Sequence, residues 1–244
     1  MKLKTPRFWE IDGARGIAVI MMIVYHIFFD LNFLQIVSIP LTSLSFQLFL
    51  YPIGSLFLFI VGISLVLSYQ TYEKKHLRIP AFSKYFWRGV FLFLIALLIT
   101  LATWIYPHQG YIVFGVIHCI SVCIILSYWF ISKPIFSLFI GCIIVVLGVI
   151  FAQVTIESPY LFWLGLRPAG FYSLDYFPLC PWFGVVLIGI FTGTYLSPIL
   201  QQKYRCSQTI PTLAHPFVFL GKHALLIYII HQPVIYGVLY LLFQ

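Results

Sequence analysis

Residues 7–31 read RFWEIDGARGIAVIMMIVYHIFFDL, and this stretch decides the fold class. Between Arg15 and Asp30 it carries no Lys, Arg, Asp or Glu. Such a run is too apolar for the half-buried face of a soluble helix, and it is close to the ~20 residues needed to cross the hydrocarbon of a bilayer. Working outward, apolar runs of that kind lie near 16–36, 52–69, 90–106, 112–131, 134–152, 179–197 and 224–243. They predict an all-α, polytopic integral membrane helix bundle of about seven transmembrane helices. The stretch 37–51 is also apolar but is broken by Pro40 and Pro52, which suits an interfacial or re-entrant piece leading into the second span.

The composition agrees. Of 244 residues, 62% are hydrophobic and 8% charged, and the mean hydropathy is +1.03, against roughly 45–50% and 25% in soluble domains. Six carboxylates in the whole chain are too few to solvate a separate aqueous domain. A soluble enzyme, a disordered tail and a secreted disulfide scaffold are excluded. The five cysteines, Cys119, Cys123, Cys142, Cys180 and Cys206, show no regular spacing for disulfides or zinc and are read as small buried apolar residues. Nothing calls for a bound metal, a Gly-rich phosphate loop or a dinucleotide fold.

Lysine and arginine accumulate on the cytoplasmic side of membrane proteins. With the N-terminus cytoplasmic, the seven spans put every Lys and Arg inside except Arg167, so count and orientation support each other. The basic start followed by an apolar run reads as a retained first helix rather than a signal peptide, because the run is long and no small-residue cleavage site follows. No repeat or linker divides the chain, so residues 1–244 are expected to form a single membrane-embedded domain. Gly189 and Gly193 make a small-xxx-small pair suited to close helix packing. The net charge of +8 is assigned to this topology and to anionic lipid headgroups, with a cytoplasmic phosphate-bearing ligand as the second use; no nucleic acid is implied.

Ionisable side chains inside spans are costly and mark functional positions. On the first span, the eleven steps from Arg15 to His26 amount to three turns plus about 20° and a rise of roughly 16 Å, so both side chains share a face. Asp30 is one turn beyond His26 on that face, in reach as an i, i+4 neighbour. A cation, an imidazole and a carboxylate in one stripe point to a polar path, the alternative being a hydrogen-bonded interior histidine with Asp30 at the interface. His118 in FGVIHCIS (114–121) is a second imidazole at membrane depth, as suited to an interhelical hydrogen bond as to a site. His231 and Gln232 precede Pro233, which should kink the last span and free a carbonyl. The external segment SLDYFPLCPWFG (173–184) brings Asp175, Tyr176 and Trp182 to the outer rim, and Lys84 and Arg88 stand at the cytoplasmic entrance of the third span.

The opening helix resembles that of the transmembrane acyltransferase superfamily, whose acyltransferase-3 branch carries an Arg and a His spaced as Arg15 and His26 are. IGSLFLFIVGISLVL (53–67) is similar to the superfamily's second-helix motif. Together with FGVIHCIS, DYFPLCPWFG and IYIIHQP, almost the whole chain resembles prokaryotic relatives of the heparan-alpha-glucosaminide N-acetyltransferase catalytic domain. The lysosomal enzyme of that family has Asn where this chain has His26, and its histidine lies in the stretch that follows, whereas residues 31–48 here hold none. The imidazole then comes from His26 or His118, and the acyltransferase-3 pattern favours His26.

The resemblance implies that acetyl-CoA or another acyl-CoA binds from the cytoplasm and that a hydroxyl or amine of a sugar or glycan acceptor approaches from the other side of a prokaryotic cytoplasmic membrane. In that reading Arg15, Lys84 and Arg88 meet the nucleotide phosphates, with His231 and Gln232 as further donor-site residues. His26 is the general base, Asp30 orients its ring, and His118 binds acceptor or stabilises the oxyanion. Asp175 and Trp182 face the acceptor. Direct transfer and an acetyl-histidine intermediate both stay open, as do a single bundle and a homodimer. A proton-coupled transporter, using the same intramembrane His and Asp, is the rival from another class, and an inert scaffold is the third.

Overall fold

The computed structural model describes residues 7–40, 43–206 and 209–243. Lys2 and Lys4 of the charge count, and the side chain of Arg205, lie outside the described residues. Eight α-helices are described: α1 (Trp9–Phe33), α2 (Leu44–His76), α3 (Phe82–Ile105), α4 (Val116–Ser127), α5 (Pro134–Phe151), α6 (Leu179–Cys206), α7 (His215–Lys222) and α8 (Ala224–Phe243). Among the described residues there is no strand, only two isolated bridges in the loops. The chain is an all-helical, multi-pass membrane protein.

Six of these helices, all but α4 and α7, are long and apolar enough to cross a bilayer. Several outrun the apolar stretches that announce them, because helix geometry does not stop where hydrocarbon does. α1 begins at Trp9 with Glu10 and Asp12 in its first turn, where the unpaired N–H groups and the helix dipole favour carboxylates. α2 has Lys74, Lys75 and His76 in its last turn, the complementary arrangement at a carbonyl end. It also passes through Pro52, so that residues from Leu44 onward, expected as interfacial or re-entrant, are helix continuous with the second span.

The fourth expected span, 112–131, holds a helix of only 12 residues, about 18 Å long. Its intended start is tied elsewhere: Ile112 N–H donates to Thr103 Oγ1 (3.0 Å), and Thr100 Oγ1 donates to the Ile112 carbonyl (2.7 Å). Those bonds hold Ile112 against α3 and prevent it from joining α4.

The chain divides into two compact units, with the breaks inside α2 and α6. One is Leu58–Gln202. Its core gathers Leu58, Leu65, Ile124, Val186, Leu187 and Ile190, each at most 1% exposed. Here α2 and α6 meet at glycines: a Cβ on Gly62 would overlap the Val186 carbonyl, one on Gly189 the Phe59 carbonyl, and one on Gly193 would lie 2.9 Å from the Ile63 Cα. The expected small-residue surface is therefore used. Cys119 and Cys123 are buried as expected, whereas Cys142 is exposed on α5 among other apolar side chains of that helix.

The other unit gathers the described residues of Pro6–Phe57 and Lys203–Gln244. In it α1 lies directly on α7, since a Cβ on Gly16 would overlap the Phe217 carbonyl and one on Gly221 the Asp12 carbonyl. The outward faces of both units are apolar, with Leu98 on α3 65% exposed and Leu241 on α8 84% exposed. Hydrocarbon rather than water suits such faces.

Candidate active site

The second unit contains the stripe on α1. At its start Asp12 is buried and doubly paired: Arg7 Nε donates to Oδ2 at 2.6 Å and Arg15 Nη1 to Oδ1 at 2.8 Å. Arg15 also reaches the Gly221 carbonyl of α7 at 3.5 Å. Two guanidiniums on one carboxylate keep a net positive charge at this end of α1. Nearby, Lys203 pairs with Glu10 at 2.7 Å and lies 4.8 Å from the Trp9 ring centre. Asp12 is the residue the sequence reading missed, although its i, i+3 spacing to Arg15 was the available signal.

Along α1, His26 Nδ1 lies 2.9 Å from the Met22 carbonyl. A carbonyl only accepts, so Nδ1 carries the proton and the neutral ring keeps a lone pair at Nε2. The His26 ring centre is 4.6 Å from that of His231, edge to face at 80°. His231 repeats the arrangement: Nδ1 donates to the Tyr228 carbonyl at 2.7 Å, and Nε2 is buried with no hydrogen-bond partner. One residue on, Gln232 Nε2 donates to Asp30 Oδ1 at 2.6 Å. Asp30 is 1% exposed, and its Oδ2, like Gln232 Oε1, is buried without a partner. Pro233 follows within α8; it has no N–H to give the Ile229 carbonyl.

This geometry joins four of the expected residues, His26, Asp30, His231 and Gln232, between α1 and α8, and alters one expected link. Asp30 was to orient the His26 ring. That ring is held by the carbonyl one turn before it, and the Asp30 carboxylate instead holds Gln232.

The remaining expected residues belong to the first unit. His118 accepts the Gly115 N–H at Nδ1 (3.2 Å), and its Nε2 faces Thr100 Oγ1 at 3.3 Å. The accepting Nδ1 places the proton on Nε2, so both nitrogens are occupied and no lone pair is left to take a proton. Its ring is buried against Phe93 and Phe114. Asp175 Oδ2 accepts the Val116 N–H at 3.0 Å, satisfying a donor in the first turn of α4. Trp182, expected at the outer rim, is buried in the core with its ring 4.8 Å from Phe177. Cys180 interrupts the helical backbone (φ −98°, ψ 120°) at the start of α6, and this break precedes the turn that carries Trp182 into the core. Lys84 lies exposed on α3 with Nζ 4.5 Å from the Tyr72 ring centre, and Arg88 is exposed one turn further on.

In the loop before α6, Tyr176 donates its hydroxyl to the Phe162 carbonyl at 2.7 Å. Burial pushes its phenol up to about 12, with nearby Arg167 pulling the other way. Among the described residues no three His, Cys, Asp or Glu side chains gather as a metal-ligand set.

Compared with known proteins, the chain matches over residues 7–233 a family model described as heparan-alpha-glucosaminide N-acetyltransferase, catalytic. Neither a curated protein nor a solved structure shows a match to it.

Proposed function

This chain belongs to the heparan-alpha-glucosaminide N-acetyltransferase catalytic family, and from that premise we propose an acyl-CoA-dependent transfer to a sugar or glycan acceptor. The family makes it a membrane acetyltransferase. The donor in this reading is acetyl-CoA or another acyl-CoA from the cytoplasm, and the acceptor is a hydroxyl or amine approaching from the opposite side.

The observation that carries the reading is the His26 tautomer. With Nδ1–H given to the Met22 carbonyl, Nε2 is the basic atom, on the same polar stripe as Arg15. His26 Nε2 removes the proton from the acceptor O–H or N–H as that heteroatom attacks the thioester carbonyl carbon. The tetrahedral intermediate collapses, the C–S bond breaks, and the departing CoA thiolate takes the proton back from the imidazolium. A neutral imidazole with a free ring nitrogen can serve both transfers, taking the proton in the first and returning it in the second.

Arg15 supplies the cation for the nucleotide phosphates by charge-assisted hydrogen bonds. Asp12 fixes its direction, and the roughly 16 Å of helix rise from Arg15 to His26 is of the order of an extended pantetheine arm. Both nitrogens of His118 are engaged at the start of α4, which supports a structural role for that residue and leaves the base to His26.

The test is transfer of radiolabelled acetyl from acetyl-CoA supplied to the cytoplasmic face of membrane vesicles. Acceptor acetylation that disappears in His26→Ala is the expected result. Near-normal turnover by that variant removes the assigned base, and uptake of acceptor with no consumption of acetyl-CoA turns the reading into transport.

A further inference from the structure

Three buried polar atoms beside His26 have no hydrogen-bond partner: Asp30 Oδ2, His231 Nε2 and Gln232 Oε1. All three are acceptors. The carboxylate has no proton to give, Gln232 has turned its amide N–H toward Asp30 Oδ1, and the neutral His231 ring has its proton on Nδ1, facing the Tyr228 carbonyl. Unpaired acceptors at membrane depth are unfavourable unless something supplies donors. Asp30 and His231 are 1% and 7% exposed, so the cluster is not wetted as an open surface would be.

We propose that Asp30, His231 and Gln232 seat the acceptor substrate through its hydroxyl or ammonium hydrogens, and are not contacts of acyl-CoA. This rests on the transferase reading above and names the substrate side of its site. The phosphates and thioester of acyl-CoA are acceptor groups with nothing to offer this cluster. Its pantetheine arm offers two amide N–H groups, each with its own carbonyl, and one hydroxyl, and carries no cation to meet the Asp30 carboxylate. A hexosamine carries hydroxyls and an ammonium, and the carboxylate of Asp30 adds charge attraction for the latter. Acceptor hydrogens held here lie beside the His26 ring, whose centre is 4.6 Å from that of His231, so one bound hydroxyl or amine is within reach of the proposed base.

The experiment measures D-glucosamine and acetyl-CoA binding separately, by calorimetry on the full chain in lipid nanodiscs. Asp30→Asn puts an amide in place of the charged acceptor, and Gln232→Met removes the polar end with little change of shape. Each is expected to weaken glucosamine about tenfold or more and to leave the acetyl-CoA dissociation constant within about twofold. Retained acetyl-CoA binding reports that the variant is folded. No glucosamine binding by the wild type, unchanged glucosamine binding in both variants, or parallel loss of both ligands in both variants overturns the assignment. Failure of the wild type to bind acetyl-CoA, with glucosamine still bound, instead strikes the transferase reading.

Discussion

Two histidines on neighbouring helices of one unit, half-buried His26 and buried His231, differ from the buried histidine of the other unit, His118, in what their nitrogens do. On α1 and α8 each ring gives Nδ1–H to a carbonyl of its own helix, which leaves Nε2 with its lone pair. At the start of α4, His118 takes a backbone N–H on Nδ1 and faces Thr100 with Nε2. Residue type is shared, so it does not tell them apart. The tautomer does, and the tautomer is set by whichever backbone group lies within reach.

The largest effects break this comparison most directly. His26→Ala is expected to lower acetyl transfer by about 10²–10⁴-fold, the usual contribution of a general base, while the thermal midpoint hardly moves. His118→Ala is expected to do the opposite: α4 loses a bond at its first turn and a buried ring, and the cavity destabilises the protein by about 2–4 kcal/mol. A well-folded His118→Ala with turnover as low as His26→Ala would reverse the two roles, and a thermal melt run beside the radiolabel assay reads both.

Next in size are the close approaches within each unit. Gly16→Ala and Gly189→Ala place a methyl on the Phe217 and Phe59 carbonyls respectively, and backbone cannot step aside as a flexible side chain can. Each is expected to cost about 1–3 kcal/mol. Gly16→Ala should also reduce transfer, since α1 carries His26, whereas Gly189→Ala should act on stability alone; equal turnover losses would dissolve the distinction between the units.

Smaller still, Asp175→Ala removes the acceptor for the Val116 N–H and is expected to cost about 1 kcal/mol, like the loss of a helix cap, with acceptor KM unchanged. A raised acceptor KM at unchanged stability would restore Asp175 to substrate recognition. The smallest effect concerns Tyr176, whose folded-state pKa is pushed up to about 12 by burial. Above pH ~10 the unfolded chain ionises while the folded phenol keeps its proton. Its stabilising effect is therefore present below pH ~10 and is lost as pH rises from there toward 12. Tyr176→Phe should flatten that alkaline limb in a pH series of unfolding midpoints.

Much of the fold was legible because one physical term dominates it. The apolar runs announce α1, α2, α3, α5, α6 and α8, for a segment without charge has no other stable place than hydrocarbon. α4 was over-read as a full span because composition does not reveal that Ile112 is bonded to Thr100 and Thr103 of α3. Helix periodicity put Arg15, His26 and Asp30 on one face, and the HQP tripeptide pointed at α8. Nothing along the chain said that α8 would bring His231 and Gln232 to that face, nor that Asp12 would hold two arginines.

The amino-acid order alone settled what is governed by solvent transfer and local geometry: an all-helical membrane protein, the six helices long and apolar enough to cross a bilayer, and the polar stripe on the first helix. Folding decided the rest. It gave Asp30 to Gln232 rather than to His26, buried Trp182, assigned His118 to a helix start, and chose the nitrogen that bears the proton on each ring. Hydrophobic burial is summed over a segment and survives without knowing its neighbours. A hydrogen bond depends on one donor and one acceptor meeting within about 3 Å, and for residues some two hundred positions apart only the tertiary arrangement brings that about.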